Sequence, residues 1–275
     1  MVAVVADSAA NLPEELAREL GIELVPLWLT FGSDQYRDGV DMPPARFYER
    51  LISEREPAST ATPSPGAFAA AFERTRQRDI VCITVASTMS AVHHVALTAS
   101  ERFDGRAVVV DSTNASMAEG FVALEAARRA RAGASLEDVV ARAREVAGVA
   151  RLFATVDTFE FLRRSGRVNA LRAYVATVLD IKPVFSFHRG EAHPVARPRT
   201  RRRAVERIVD ETLRGIGDRA AHVAAFHAGA EDEARALLGR VVERVDLVEA
   251  HVVPVTPVIG AHTGPGLVGT AFFAE

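Results

Sequence analysis

Short apolar runs rich in valine and isoleucine alternate with longer helix-patterned stretches through the first half of the chain. This alternation constrains the fold more than any other feature of the sequence. The apolar runs predict strands, and the stretches between them predict helices, three of which open at proline. The predicted strands are Val2–Ala6, Glu23–Thr30, Ile80–Val85 and Ala107–Val110, and the predicted helices are Pro13–Leu20, Pro44–Ser53, Pro65–Arg76 and Ala115–Arg131. Strands that alternate with helices form a largely parallel sheet covered by helices, so we predict an α/β fold.

The alternation resumes after a predicted boundary near Gly148. Ser135 and Asp138 resemble a capping box, which predicts a helix to about Ala147 with Gly148 as its C-terminal cap. Because 275 residues exceed the usual size of one hydrophobic core, we expect two domains, residues 1–148 and residues 149–275. The second set of predicted strands is Arg151–Val156, Lys182–Phe187, Ala221–Phe226 and Val245–Val253, and its helices are Thr158–Arg164, Val168–Leu179, Val205–Arg214 and Glu231–Glu243.

Composition argues against several classes of protein. A net charge of −3 argues against nucleic acid as the main partner, because phosphate binding normally requires a basic excess. Cys82 is the one cysteine, which rules out an internal disulfide, and its apolar neighbours predict a buried, inert thiol. No segment approaches the roughly 20 apolar residues of a membrane-spanning helix, and the first residues lack the charged region of a secretory signal. We therefore expect a soluble, cytoplasmic protein.

Small polar residues follow three of the predicted strands in the first half. Asp7 and Ser8 follow the first strand, Ser87 and Thr88 follow the third, and residues 111–113 (Asp-Ser-Thr) follow the fourth. In open α/β sheets, ligands bind beyond the carboxyl ends of the strands. These residues therefore predict a polar rim where a ligand binds.

The segment Pro257–Gly269 reads as a stiff loop after an apolar run. It places His262 and Thr263 among glycines and a proline, which allow a backbone to approach a ligand closely. Two interpretations are open at this point. The segment is either a ligand-binding loop or a turn whose histidine caps a neighbouring carbonyl.

Two hydroxyl-rich stretches are further candidates for binding or catalysis. The loop Ser59–Gly66, expected between two helices, holds four hydroxyls that either cap the next helix or donate hydrogen bonds to an oxyanion. Ser87 and Ser90 precede His93 and His94, which permits a serine nucleophile with a histidine base. No GxSxG elbow accompanies them, and no HExxH motif or cysteine pair supports a zinc site.

Arginines cluster at two places in the second half. The turn Arg163–Asn169 is either a helix C-terminal cap or, through Arg167, a contact for an anion or a partner. The run Arg197–Arg203, which includes Arg199 and Arg202, is either a solvated face or a patch that docks an anion or a partner.

Eight short motifs occur in a fixed order along nearly the whole chain. They are Asp7-Ser8 with 11–13 (Asn-Leu-Pro), Tyr36–Asp41, Thr60 before 63–66 (Pro-Ser-Pro-Gly), Ser87 with Met89-Ser90, Asp111-Ser112 with 115–117 (Ala-Ser-Met), Arg163 with Gly166-Arg167, 181–183 (Ile-Lys-Pro), and Gly260 with 262–266 (His-Thr-Gly-Pro-Gly). In this order the motifs resemble those of the DegV family, whose characterised members are fatty-acid-binding subunits of bacterial fatty-acid kinase.

The resemblance implies two α/β domains, the first with a largely parallel sheet flanked by helices and the second with a mixed sheet, and a long-chain fatty acid buried between them. The family's carboxylate-binding positions correspond to Thr60, Ser90 and His262, with Thr263 as a neighbour. Arg167 corresponds to an arginine that is a candidate contact for the kinase partner or, transiently, the membrane. The sequence departs from the family pattern at Ala9, where a hydroxyl is common.

The resemblance also assigns the chemistry to a second protein. A separate ATP-using kinase subunit would phosphorylate the bound carboxylate to an acyl phosphate. The chain has no GxxxxGK[ST] motif of its own and no metal-binding motif, which favours a lipid carrier without metal or cofactor over an enzyme. The alternative is a serine-dependent hydrolase or acyltransferase that acts alone.

Overall fold

The computed structural model describes residues 1–53, 58–77, 79–166 and 181–275. Strands and helices alternate along most of this length. The strands are β1 (Val2–Asp7), β2 (Glu23–Val25), β3 (Trp28–Phe31), β4 (Asp34–Arg37), β5 (Ala58–Ala61), β6 (Asp79–Thr84), β7 (Ala107–Asp111), β8 (Arg151–Thr155), β9 (Val184–His188), β10 (Glu191–Ala196), β11 (Ala220–His227), β12 (Asp246–Pro254) and β13 (Val268–Ala274). The α-helices are α1 (Glu14–Leu20), α2 (Pro44–Ser53), α3 (Pro65–Arg74), α4 (Val92–Ser100), α5 (Met117–Arg131), α6 (Leu136–Val149), α7 (Glu160–Ser165), α8 (Arg201–Ile216), α9 (Glu231–Val242) and α10 (Pro257–Thr263). The predicted helix Val168–Leu179 lies outside the described residues.

The first sheet is parallel throughout its described strands, in the order β2-β1-β6-β7. Both of its faces are buried. Side chains of β1 alternate between them: Val2 and Val4 pack with helices α5 and α6, whereas Ala3 and Val5 pack with helices α3 and α4. A strand buried on both faces reads as a continuous apolar run. The predicted parallel sheet, flanked by helices, is confirmed.

The second large sheet is mixed, in the order β10-β9-β8-β13-β11-β12. Only β11 and β12 run parallel among its described pairs. Strand β13 lies in the middle, between β8 and β11. The α/β class and the mixed second sheet are therefore confirmed.

Helix α5 lies between the two large sheets and is buried almost all round. The ring of Phe121 on α5 packs on Phe273 of β13, with 5.6 Å between ring centres. One hydrophobic cluster therefore contains residues from both halves of the chain. The strands of the mixed sheet all follow residue 149, but the division into domains 1–148 and 149–275 stays a prediction.

Within residues 1–148, three predicted features differ from the structure. Glu23–Thr30 is not one strand: β2 ends before Pro26, which lacks an N–H for a sheet, and β3 joins an antiparallel sheet in the order β4-β3-β5. Ser59–Gly66 is not wholly a loop, because its first residues belong to β5. Gly148 does not cap α6: the helix continues to Val149, and the extended Ala150 leads straight into β8.

Candidate functional site

The sequence predicts a loop for the segment Pro257–Gly269, and this prediction is wrong for its first half, which forms the short helix α10. Pro257 occupies the first turn, where a missing N–H costs nothing. His262 lies in the last turn, and Gly264 follows with a positive φ. Nε2 of His262 is 2.9 Å from Oγ1 of Thr60, so the histidine forms a hydrogen bond across to β5.

Thr60 is presented by the small antiparallel sheet. It pairs with Leu29 of β3, which is fully buried, and this pairing fixes Thr60 in register. The β-branched side chain suits such a strand. The sheet therefore holds the Thr60 hydroxyl against the last turn of α10.

Ser90 lies in the turn between β6 and α4. Its backbone N–H donates to the carbonyl of Ala86 (3.2 Å), and its hydroxyl oxygen accepts from the N–H of Val92 (3.4 Å). These bonds hold the side chain at the carboxyl end of a strand in the parallel sheet. Such a position agrees with the polar rim predicted from the sequence.

Thr60, Ser90, His262 and Thr263 line a single cavity of about 100 Å³. Thr263 differs from the others, because its hydroxyl donates to the carbonyl of Ile259 (3.0 Å). The rest of the described wall is mainly apolar: Ala9, Leu27, Val85, Met89, Ala115, Leu162, Val258 and Ile259. The cavity therefore combines an apolar wall with a few convergent polar groups, which is typical of small-molecule sites.

A second depression, the outer cleft, also has Thr60 and His262 in its wall. Its volume is about 180 Å³, and it is lined by Ala58, Ser59, Thr60, Phe161, Arg164, Ser165, Ala261 and His262. Arg164 forms an ion pair with Glu160 on the same helix. Thr60 and His262 line both spaces, so their hydrogen-bonded pair belongs to the wall of the apolar cavity and to the wall of the outer cleft.

Two buried carboxyl groups lie beneath the cavity wall. Asp7 accepts hydrogen bonds from the backbone N–H groups of Ala9 and Val85, both at 2.8 Å. Burial raises the pKa of Asp7 to about 7 and the pKa of Asp38 to about 6. Ala9 and Val85 line the cavity, so Asp7 fixes two segments of its wall. The sequence marks Asp7 and Asp38 only as members of motifs, because what they contact depends on tertiary structure.

The remaining candidates lie elsewhere. His93 shares a hydrogen bond with Thr84 (2.9 Å). Arg199 and Arg202 are exposed at the start of α8, and Arg202 pairs with Glu206 (2.8 Å); neither is among the described lining of the cavity or of the outer cleft. Arg167 lies outside the described residues.

Two apolar segments of the second half contribute little to the described cavity wall. Residues 184–187 belong to β9 in the sheet, and Val258 is the part of residues 252–258 that lines the cavity. Cys82 is fully buried, as predicted, and burial raises the pKa of its thiol.

The described residues lack two features. They contain no group of three or more His, Cys, Asp or Glu side chains placed to hold a metal ion. None of the helices in this part of the chain is both long and apolar enough to cross a bilayer.

Curated relatives match the chain over nearly its full length. A DegV domain-containing protein from Streptomyces coelicolor is 34% identical over 272 residues, which cover 98% of this chain and 96% of that protein. A DegV domain-containing protein from Mycobacterium tuberculosis is 36% identical over 277 residues, which cover 98% of this chain and 95% of that protein.

Solved structures match the fold. A DegV family protein from Thermus thermophilus, described by its fatty-acid binding, superimposes with a TM-score of 0.94 at 29% identity, covering 100% of this chain and 99% of that one. DegV from Bacillus subtilis, described as a fatty-acid-binding protein, gives a TM-score of 0.87 at 28% identity, with 100% and 99% covered. Residues 1–275 match the family model described as "Uncharacterised protein, DegV family". With its fold and its motifs in agreement, the chain belongs to the DegV family.

Proposed function

We propose that this chain is a cytoplasmic carrier that binds a long-chain fatty acid and presents its carboxylate to a separate ATP-using kinase subunit. The kinase would phosphorylate the carboxylate to an acyl phosphate. The observation that carries this proposal is the convergence of Thr60, Ser90 and His262, from three parts of the chain, on one mainly apolar cavity. The fatty-acid binding described for the relatives from Thermus thermophilus and Bacillus subtilis supports the class of ligand.

The polar end of the cavity suits a carboxylate. A carboxylate that enters an apolar cavity loses its hydration and needs hydrogen-bond donors in place of water. The hydroxyls of Thr60 and Ser90 and the imidazole of His262 can each donate. The Thr263 hydroxyl already donates to Ile259, so we assign Thr263 to the wall beside the carboxylate rather than to the donors.

The apolar wall suits the acyl chain. Burial of about 14 methylenes gives on the order of 11 kcal/mol before the costs of ordering the ligand. The described cavity encloses about 100 Å³, whereas small-molecule sites usually enclose roughly 300–1,000 Å³. We therefore assign the described cavity to the carboxylate and the first part of the acyl chain.

The outer cleft indicates the side from which the kinase would reach the carboxylate. A carboxylate at Thr60 and His262 would lie at the boundary between the apolar cavity and this cleft. A phosphoryl group transferred to it would project into the cleft, where Arg164 offers a positive charge. We propose that the kinase approaches from this side, with Arg167, Arg199 and Arg202 as candidate contacts for the partner or an anion, and Arg167 also for a transient membrane contact.

Mass spectrometry of the purified protein tests the ligand directly. We expect a co-purifying long-chain fatty acid, and binding of added fatty acid after it is removed. Recovery of no acyl chain, together with no binding of added palmitate or oleate, would refute the proposed ligand.

Substitution of the histidine tests the site. His262→Ala should weaken palmitate binding by about tenfold, the value of roughly one hydrogen bond to a charged group, and should leave the thermal midpoint nearly unchanged. His94→Ala, which removes an exposed histidine of α4, is the matched control. Equal affinities for the two variants would exclude His262 as a ligand.

A trapping assay tests the partner. Palmitate, ATP and this chain should give hydroxylamine-trapped acyl phosphate only when the kinase subunit is added. Product formed without the kinase would contradict the carrier role. Turnover of p-nitrophenyl esters by this chain alone, lost in Ser90→Ala, would instead support the hydrolase alternative.

A further inference from the structure

Asp38 is a buried carboxyl group that contacts the helix carrying His262. Its side chain is 2% exposed and lies in the segment between β4 and α2. Oδ1 accepts from the backbone N–H of Val258 (3.0 Å), and Oδ2 accepts from the hydroxyl of Ser8 (2.6 Å). The Ser8 oxygen in turn accepts from the N–H of Leu27 (3.1 Å), a residue of the cavity wall.

Helix α10 does not cap its own N-terminus. Thr256 occupies the cap position but makes no side-chain cap bond, and Pro257 has no N–H. The first free N–H groups of a helix need acceptors from outside it. Here the carboxylate of Asp38 accepts from the N–H of Val258, and the side-chain oxygen of Asn11 accepts from the N–H of Thr256 (2.6 Å).

Asn11 connects the start of α10 to the end of β12. Its side-chain amide also donates to the carbonyl of Pro254 (3.0 Å), at the end of β12. Asp38 and Asn11 both belong to the first part of the chain, whereas α10 belongs to the last. The contact therefore joins segments that are more than 200 residues apart in sequence.

His262 lies one helical turn from this contact. His262 lies four residues after Val258, so the two are on the same side of the helix, one turn apart. A seven-residue helix is too short to be stable alone. It is therefore held by its packing and by these hydrogen bonds from Val258 and Thr256 to the first part of the protein.

We propose that Asp38 is a positioning residue for the fatty-acid carboxylate: it fixes the start of α10 so that His262 stays in register with Thr60. The role toward the carboxylate rests on the proposed function, whereas the placement of His262 against Thr60 does not.

The test compares palmitate with hexadecanol, which has the same chain length but no carboxylate, by displacement of a fluorescent hydrophobic dye. Asp38→Ala should bind palmitate about tenfold more weakly, with less than about a twofold change for hexadecanol. Asp38→Asn keeps an oxygen that can accept from Val258 and should restore most of the palmitate affinity. Asp41→Ala is the matched control, because its carboxylate bonds to Arg37 at the surface, and it should change neither affinity.

Two results would overturn the assignment. One is an unchanged palmitate affinity in Asp38→Ala. The other is an equal loss for palmitate and hexadecanol, which would mean that the cavity as a whole had changed. If Asp38→Ala does not fold, Asn11→Gly removes the second anchor and suits the left-handed backbone at residue 11 (φ 58°). That variant should show the same selective loss, and no loss would count against the anchor.

If the proposed function is wrong, the wild-type chain will bind neither palmitate nor hexadecanol, which distinguishes this case from a failure of the Asp38 proposal alone. The imidazole NMR signals of His262 in the ligand-free protein decide the role of Asp38 in that case. They should shift in Asp38→Ala and return in Asp38→Asn. Signals identical to wild type in Asp38→Ala would overturn the positioning role.

Discussion

Glu249 offers the sharpest test of how the two halves are held together. Its carboxylate on β12 accepts two hydrogen bonds from Arg128 of α5, at 2.6 and 2.7 Å. His222 of β11 lies 2.6 Å from it and His251 lies 2.9 Å from it. Burial would raise the pKa of Glu249, but these hydrogen bonds outweigh burial and lower it. The carboxylate therefore stays charged and connects a helix of the first half to the second sheet.

Replacing this carboxylate should destabilise the fold measurably. The side chains of Glu249 and Arg128 are 15% and 34% exposed, so the cost lies below the full 3–5 kcal/mol of breaking a buried pair. We expect Glu249→Gln to lower the free energy of unfolding by about 2–3 kcal/mol. For a chain of 275 residues this corresponds to a melting temperature about 5 °C lower. Circular dichroism during thermal and urea unfolding measures both quantities.

The same pair predicts a pH dependence. Glu249 has a folded pKa below its ordinary value of 4.5, so its stabilisation is fully present above that value and is lost as the pH falls below it. The difference between wild type and Glu249→Gln should therefore shrink below about pH 4.5.

The control is Glu231→Gln, which breaks an exposed pair with Arg235 on α9 and should leave the melting temperature unchanged. A shift for Glu249→Gln no larger than the shift for this control would refute the reasoning.

Two further predictions concern the surroundings of the cavity. Gly260→Ala should lower the free energy of unfolding by about 1–3 kcal/mol and weaken palmitate binding. The added Cβ on α10 would lie 2.5 Å from the Tyr48 hydroxyl and 2.7 Å from Phe47. Denaturant unfolding and ligand titration measure the two effects, and an unchanged unfolding midpoint would contradict the prediction. Asp7, whose pKa is raised by burial to about 7 beside the equally buried carboxyl of Glu119, should favour the folded state most at low pH and lose that contribution as the pH rises from about 4 to beyond 7. Asp7→Asn should make the free energy of unfolding fall less steeply with pH than in wild type, although the variant loses one acceptor for a backbone N–H. If the two proteins lose stability with equal slopes from pH 5 to 8, Asp7 is not the cause of the pH dependence.

The parallel sheet could be predicted from the sequence because its strands are buried on both faces. Strands β1, β6 and β7 read as continuous apolar runs, and their bounds differ from the predicted ones by a residue or so. Thr60, Ser90 and His262 were identified from the order of the motifs. The structure places all three around one cavity, and their binding of a carboxylate stays a prediction.

Elements that depend on distant contacts could not be predicted. The sequence predicts a loop at α10 because Gly260 has a low helix propensity. In the structure this glycine lets Tyr48 and Phe47 pack closely on the helix. Strand β5 is short, and its pairing with β3 supplies the hydrogen bonds that define it. The contact of Asp38 with Val258 spans 220 residues of sequence, and no local pattern indicates it.

The central position of β13 has a consequence for the order of folding. This strand comes after all the other strands of the chain, yet it lies between β8 and β11. Until residues 268–274 have been synthesised, β8 to β10 and β11 with β12 have no edge in common and remain two fragments. Pairing so distant in sequence is slow, because a long loop must close before the contacts form. The edge of β8 would stay unpaired while residues 156–267 are made, and the edge of β11 while residues 228–267 are made, so this half of the chain is exposed to aggregation during the later part of its synthesis.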